Sequence, residues 1–309
     1  MADDYEILVT LSTFAEYSKA PLKRLQESKL SFKINSSGKR MTPEEILSQG
    51  RFCRGVIAGV EPYRSDLLEQ MPNLRCISRV GVGTDNIDLD ACRKRGVMVL
   101  NTPEEPVLAV AELTMAMILG LMRQLPRVNF LTRAGKWQRV PGNLLHGKTL
   151  GLIGLGRIGK KVAQLMQPFK TRIIATDPFP DIEWADKFNV SLTDLDTLLK
   201  AADIISIHAS VGGCDLKLGR RELSMMKPGG WLINMARGDM VDDIALYEAL
   251  KSGQLSGAGL DVFPHEPYTG PLLECDGVIV TPHQATLNYE TRVDMEIHAV
   301  ENIIEFFQG

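Results

Sequence analysis

The sequence predicts an α/β protein with two doubly wound parallel sheets, and three observations carry that expectation. Short strand-like apolar runs alternate with helical stretches along the whole chain, the pattern that buries a parallel sheet between two layers of helices. The runs are too numerous for one sheet. A glycine-rich turn, Gly154-Leu155-Gly156-Arg157-Ile158-Gly159, lies at mid-chain between the apolar run Thr149-Leu150-Gly151-Leu152-Ile153 and a helical pattern.

The first strands are Ile7-Leu8-Val9, Val56-Ile57-Ala58, Cys76-Ile77-Ser78 and Met98-Val99-Leu100, closed by Asn101-Thr102-Pro103. An apolar segment then runs from Val107 to Arg123, rich in helix formers and stopped by Pro126. A helix with so little charge must be buried, in a core or against another subunit. The second sheet spans Leu150 to Val280. It takes in Ile173-Ile174-Ala175, Ile204-Ile205-Ser206-Ile207, Trp231-Leu232-Ile233 and Val278-Ile279-Val280. The amphipathic tail from Tyr289 to Phe307 follows the last strand and is free to return to the first domain. The expected division is residues 1–101 with 283–309 as one domain and 102–282 as the other.

The length of 309 residues fits two domains, and the apolar share of 44% fits substantial cores. The formal charge of −3 is spread along the chain, so neither nucleic acid nor a membrane surface is an expected partner. The cysteines Cys53, Cys76, Cys92, Cys214 and Cys275 form no CxxC pair and are odd in number. They read as reduced thiols, with no metal site expected. The start, Met1-Ala2-Asp3-Asp4-Tyr5, is acidic and unlike a signal peptide. The apolar stretch from Leu113 to Leu121 is too short to cross a bilayer. A soluble cytoplasmic protein is expected.

The mid-chain turn fits a dinucleotide site at each point that can be checked. Gly154 permits a tight turn, Gly156 lets the backbone approach a pyrophosphate, and Gly159 allows close packing. The helix that follows offers the N–H groups around Ile158 and a positive dipole end to phosphates, and Arg157 adds a charge. Asp177 closes the next strand, 23 residues beyond Gly154, where a carboxylate binds ribose hydroxyls. It would repel a 2′-phosphate, and Pro178-Phe179-Pro180 supplies no cation to attract one. The cofactor expected is NAD rather than NADP.

Three strand ends carry candidate chemistry. Asn234-Met235-Ala236-Arg237-Gly238, the stretch from Gly259 to Pro267, and Thr281-Pro282-His283-Gln284-Ala285 each follow an apolar run. In an open α/β sheet such ends line the ligand crevice, so Arg237, Glu266 and His283 should converge beside the cofactor. Singly each has a bland reading, as a surface cation, a helix-entry charge and a structural histidine. Together, beside a nucleotide motif, they point to proton-coupled redox chemistry. His265 belongs to an exposed turn, His146 reads as surface, and His208 ends a strand near the adenosine.

With these residues in view, the chain resembles the D-isomer-specific 2-hydroxyacid dehydrogenases, most closely the phosphoglycerate dehydrogenase-like branch. The resemblance runs over nearly the whole length. It includes Arg79-Val80-Gly81-Val82-Gly83-Thr84-Asp85-Asn86-Ile87-Asp88, Asn101-Thr102-Pro103, Ala111-Glu112-Leu113-Thr114 and Met226-Lys227-Pro228-Gly229-Gly230. It implies a flavodoxin-like substrate domain made from both chain ends and a Rossmann cofactor domain inserted between them, with the active site in a cleft closed by hinge motion. It implies a homodimer through the helix at 107–123. Arg237 would bind the carboxylate of a 2-oxo acid and polarise its ketone. Backbone N–H groups of Val80, Gly81, Val82 and Gly83 would hold the same carboxylate. His283 would give a proton to the ketone oxygen, and Glu266 would hydrogen-bond to His283 and raise its pKa. Asp261 would hold the nicotinamide carboxamide, with Ala236 also at the cofactor.

Two stretches depart from the family pattern. Relatives carry Pro-Leu-Thr after the strand ending at His208, where this chain has Ala209-Ser210-Val211-Gly212-Gly213-Cys214-Asp215. This points to an altered loop near the adenine. Phosphoglycerate dehydrogenases commonly place Arg-Ser after the strand corresponding to Val56-Ile57-Ala58, where this chain has Gly59-Val60-Glu61-Pro62. A phosphorylated substrate thus loses an anion partner; Arg54, Arg64 and Arg79 stay open as substitutes, with surface charges the favoured reading. The chain stops at Gly309, so control through a C-terminal serine-sensing domain is not expected. Phosphoglycerate, a sugar acid, glyoxylate/hydroxypyruvate and a branched 2-oxo acid stay open, as does phosphite, while Glu266 argues against formate. An NAD(H)-sensing binding protein is the reading from another class.

Overall fold

The computed structural model describes residues 5–209 and 216–309. The acidic start and the altered loop from Ser210 to Asp215, Cys214 included, lie outside the described residues. Contacts divide the chain into two units, Met1–Pro106 with Thr286–Gly309, and Val107–Ala285. The boundaries therefore fall at 106/107 and 285/286, against 101/102 and 282/283 read from the sequence, and His283 belongs to the second unit.

The first unit holds a five-stranded parallel sheet: β1 (Ile7–Val9), β2 (Phe32–Ile34), β3 (Gly55–Ala58), β4 (Cys76–Arg79) and β5 (Met98–Asn101). Its order is β2-β1-β3-β4-β5, the flavodoxin-like order, which reverses between β1 and β3. Strands β1 and β3 are buried throughout, as expected when helices cover both faces. The helix Tyr289–Gln308 buries Met295, Ala299, Val300 and Ile303 in one core with Ile7, Val9, Ile57 and Cys76.

The second unit holds seven parallel strands: β6 (Thr149–Ile153), β7 (Arg172–Thr176), β8 (Val190–Leu192), β9 (Ile204–Ile207), β10 (Gly230–Asn234), β11 (Leu255–Leu260) and β12 (Val278–Val280). Their order, β12-β11-β10-β9-β6-β7-β8, is the dinucleotide-binding arrangement with one further strand, and it reverses between β6 and β9. The apolar helix spans Pro106–Met122 and buries Val110, Ala111, Met117, Ile118 and Leu121 with Leu150, Leu152 and Ile233. Of the two fates open to it, the core of its own unit accounts for these side chains.

Pro126 does not stop that helix. The helix ends at Met122, Gln124 turns left-handed, and a second helix, Leu125–Arg133, takes Pro126 into its first turn, where a missing N–H costs nothing. None of its residues is buried, and Phe130 (70%) and Trp137 (89%) are among the most exposed apolar side chains. Among the described residues no single helix is long and apolar enough to cross a membrane.

Candidate active site

The nucleotide turn sits where the order of the second sheet reverses. After β6, Gly154 takes φ +96°, and a Cβ there would stand 2.6 Å from the Ala209 nitrogen. A Cβ on Gly159 would fall on the carbonyl of Gly154, so Gly159 lets the helix close onto its own turn. Gly156 differs, because among the described residues beyond its chain neighbours no atom lies within 4 Å of where its Cβ would be. The helix Arg157–Met166 has Gly156 as its N-cap and no side chain capping it. The side of the turn at Gly156 is thus open at the positive end of the helix dipole.

Asp177 accepts from the Leu155 N–H on Oδ2 (2.7 Å) and from the Phe179 N–H on Oδ1 (2.8 Å). It thus shapes the turn while keeping lone pairs for a ribose. His208 lies beside the turn, its Nε2 2.8 Å from the Ser206 hydroxyl and its Nδ1 buried without a partner among the described residues. Burial drives its pKa down to about 3, so the ring is neutral. An open cradle over Gly156, an uncapped helix and an orphaned ring nitrogen fit a dinucleotide.

The chemistry stands on the other half of the same sheet. Asn234, Leu260 and Val280 are in register across β10, β11 and β12, so the residues just past them share one row. After β10, the Asn234 side chain donates to the Arg237 carbonyl (2.8 Å) and accepts from the Ala236 N–H (3.1 Å). Arg237 Nη1 donates to the Ala236 carbonyl (2.8 Å). The N–H of Ala236 is thus used within its own loop. At Gly238 a Cβ would land on the Phe263 carbonyl, so the Arg237 loop and the Glu266 loop meet main chain to main chain.

Glu266 curls back onto its own loop. Its Oε1 accepts from the Phe263 N–H (3.1 Å), and its Oε2 is 2.9 Å from His283 Nδ1. His283 takes φ +52°, a left-handed conformation uncommon for a side chain. Its side chain is 54% exposed. The carboxylate on Nδ1 sets the tautomer and leaves Nε2 as the outward atom. Beside the pair lies a largely apolar cavity of about 500 Å³, walled by Phe263, Tyr268, Leu273 and Val280, where Phe263 stacks on Tyr268 at 4.4 Å. His265 and His146 are exposed, as their loops predicted.

Asp261 has a task the sequence did not reveal. It is 1% exposed, and its Oδ1 accepts from Thr281 Oγ1 (2.6 Å) and the Gln284 N–H (2.8 Å) while Oδ2 accepts from the Ala285 N–H (3.0 Å). Three donors that bracket His283 thus converge on one carboxylate.

In the first unit, the loop after β4 commits two of its four expected N–H groups. Val80 donates to the Ala58 carbonyl (2.9 Å) and Gly81 to Thr102 Oγ1 (2.7 Å). Those of Val82 and Gly83 have no acceptor among the described residues. Gly81 takes φ +127°, and a Cβ there would overlap the Arg79 guanidinium.

The model of the D-isomer-specific 2-hydroxyacid dehydrogenase NAD-binding domain matches residues 115–285. The chain is 38% identical over 275 residues to a D-3-phosphoglycerate dehydrogenase of Archaeoglobus fulgidus, covering 87% of this chain and 52% of that protein. It is 39% identical over 258 residues to a hydroxypyruvate reductase of Thermotoga maritima, covering 81% and 83%. The structure of a D-lactate dehydrogenase from Aquifex aeolicus, complexed with NAD and lactic acid, superposes with a TM-score of 0.85 at 30% identity, covering 98% of this chain and 95% of that one. The chain spans about half the length of the phosphoglycerate dehydrogenase from Archaeoglobus.

Proposed function

Because the chain belongs to the D-isomer-specific 2-hydroxyacid dehydrogenase family, we propose that it transfers a hydride between NAD(H) and a D-2-hydroxy acid/2-oxo acid pair. The observation that carries this reading is the 2.9 Å bond between Glu266 and His283, in one row of strand ends with Arg237. When bound, the nicotinamide supplies or accepts the hydride.

His283 holds the proton for the substrate oxygen on Nε2 and takes it back in the oxidative direction. Glu266 fixes the orientation and tautomer of the ring. Arg237 binds the substrate carboxylate and draws charge onto the developing alkoxide. The N–H groups of Val82 and Gly83 offer further donors to a carboxylate. Asp261 acts by anchoring the segment that carries His283, ahead of any contact with the carboxamide. Gly154, Gly156, Arg157, Ile158, Gly159, Asp177 and His208 form the cofactor side. A homodimer belongs to the same reading, built on the helix Pro106–Met122 and the exposed Leu125, Phe130 and Trp137 that follow it.

The test is NADH oxidation by the purified protein against glyoxylate, hydroxypyruvate, 3-phosphohydroxypyruvate and branched 2-oxo acids. Turnover of any one supports a dehydrogenase. Silence across the panel, with NADH binding confirmed by fluorescence, would move the reading to NAD(H) sensing or to an acid outside the panel.

A further inference from the structure

We infer that Glu61 forms a specificity subsite in the first unit, accepting a hydroxyl group of the substrate and turning away a phosphate. The inference rests on the dehydrogenase reading and goes beyond it, to the class of acid.

The position is the first argument. The order of the first sheet reverses between β1 and β3, and the crevice past the strand ends at such a reversal is where open α/β sheets take ligands. Thr10 directly follows β1, and Glu61 lies just past β3. The two side chains meet there, with Thr10 Oγ1 donating to Glu61 Oε2 (3.0 Å).

The chemistry is the second. Glu61 is only 2% exposed, and Thr10 and Tyr63 are fully buried. A carboxylate so enclosed ordinarily has a cation, yet no Lys, Arg or His pairs with Glu61 among the described residues. The nearby Arg40 guanidinium donates to the Val60 carbonyl instead. The partners of Glu61 are neutral: Thr10 and the Gly59 N–H (2.9 Å), both on Oε2. Oε1 has no donor among the described residues, and it is not sealed from solvent. Holding this turn would need only a neutral acceptor, and a full charge with an open oxygen goes further.

The surroundings fix the carboxylate in place. The Asn86 amide donates to the carbonyls of Gly59 (3.2 Å) and Glu61 (2.6 Å), pinning the turn. The Tyr63 hydroxyl is 3.1 Å from Thr10 Oγ1, and burial holds its pKa well above the ordinary value. Tyr63 thus donates to Thr10 and Thr10 donates to Glu61, which leaves Oε1 for another donor. A phosphate would set negative charge against Glu61, a like-charge contact that strongly disfavours binding.

The experiment measures kcat/KM for hydroxypyruvate, 3-phosphohydroxypyruvate and glyoxylate with the wild type and with Glu61→Gln, the isosteric variant that removes the charge. The wild type should favour hydroxypyruvate over its phosphorylated form by roughly 100-fold. Glu61→Gln should cut that ratio at least about tenfold, mainly through KM. A merely structural role would lower both substrates together. A wild-type ratio at or below one overturns the subsite even if the variant fails to fold, as does a ratio that Glu61→Gln leaves within about twofold. Glyoxylate, which has no tail, separates the two readings. Its turnover with a wrong ratio removes the subsite alone, and silence on all three acids with NADH bound removes the dehydrogenase as well.

Discussion

Replacing Asp261 by Asn should leave a protein that binds NADH but turns over slowly. The wild-type carboxylate accepts three hydrogen bonds, two on Oδ1 and one on Oδ2, at 2.6 to 3.0 Å. Asparagine keeps one acceptor oxygen and turns an NH₂ group toward the third donor. At least one charge-assisted bond is lost and a partly buried N–H is stranded, a cost of about 2–3 kcal/mol. The same segment holds His283 at φ +52°, a conformation that costs roughly 1–2 kcal/mol against the right-handed alternative. With the anchor weakened, the segment relaxes toward that alternative and His283 shifts. A displacement of about 1 Å at a reacting group lowers a rate roughly 100-fold. The expected result is kcat down about 100-fold, with the NADH dissociation constant within about twofold of wild type. The assays are steady-state oxidation of NADH by the best acid of the panel and NADH fluorescence titration. Unchanged kcat with NADH affinity weakened tenfold or more would refute the reasoning and return Asp261 to the nicotinamide carboxamide.

Three other perturbations test the remaining parts. His283→Ala should lower kcat/KM by about 10³-fold while NADH still binds, and comparable turnover in the variant would sink the proton-donor role. Asp177→Ala should weaken NAD far more than NADP, and losing its bonds to Leu155 and Phe179 should cost about 1–2 kcal/mol of stability. Equal losses for both cofactors in affinity titrations would remove the ribose assignment. Gly156→Ala should keep its melting temperature but bind NADH poorly, since its Cβ meets only open space, whereas Gly238→Ala should be unstable because its Cβ meets the Phe263 main chain. Thermal melts beside NADH titrations decide this, and the reverse pattern would contradict the geometry.

Much of the architecture could be read in the chain because central strands such as Leu150–Ile153 are buried on both faces and so appear as unbroken apolar runs. The edge strands hide for the opposite reason. Phe32–Ile34 is only partly buried and Val190–Leu192 places Ser191 in the open, so neither leaves a recognisable pattern in three residues. The helix Leu125–Arg133 buries nothing and therefore shows no periodic face. In the candidate site, the residue types at strand ends already suggested that Glu266 and His283 would meet, as their 2.9 Å contact shows. The anchoring by Asp261 was not legible, because its partners lie 20 or more residues away and two of them are main-chain N–H groups. The commitment of Gly81 to the Thr102 hydroxyl was hidden likewise, as hydrogen-bond partners distant in sequence carry no local signature.

The main-chain contact between Gly238 and Phe263 also bears on how such a protein can diversify. The loops bearing Arg237 and Glu266 lie too close for either to gain a side chain or a residue at that point without the other giving way, so heritable change there must come in matched pairs. In the turn that carries Glu61, the nearest atoms to a Cβ on Gly59 belong to side chains, the Glu61 carboxylate at 3.2 Å and Leu11 at 3.4 Å, which can shift where a main chain cannot. Single substitutions can be sampled in that turn and kept or discarded by selection. A lineage built on this plan would conserve its reaction in one half of the molecule and explore new acids in the other.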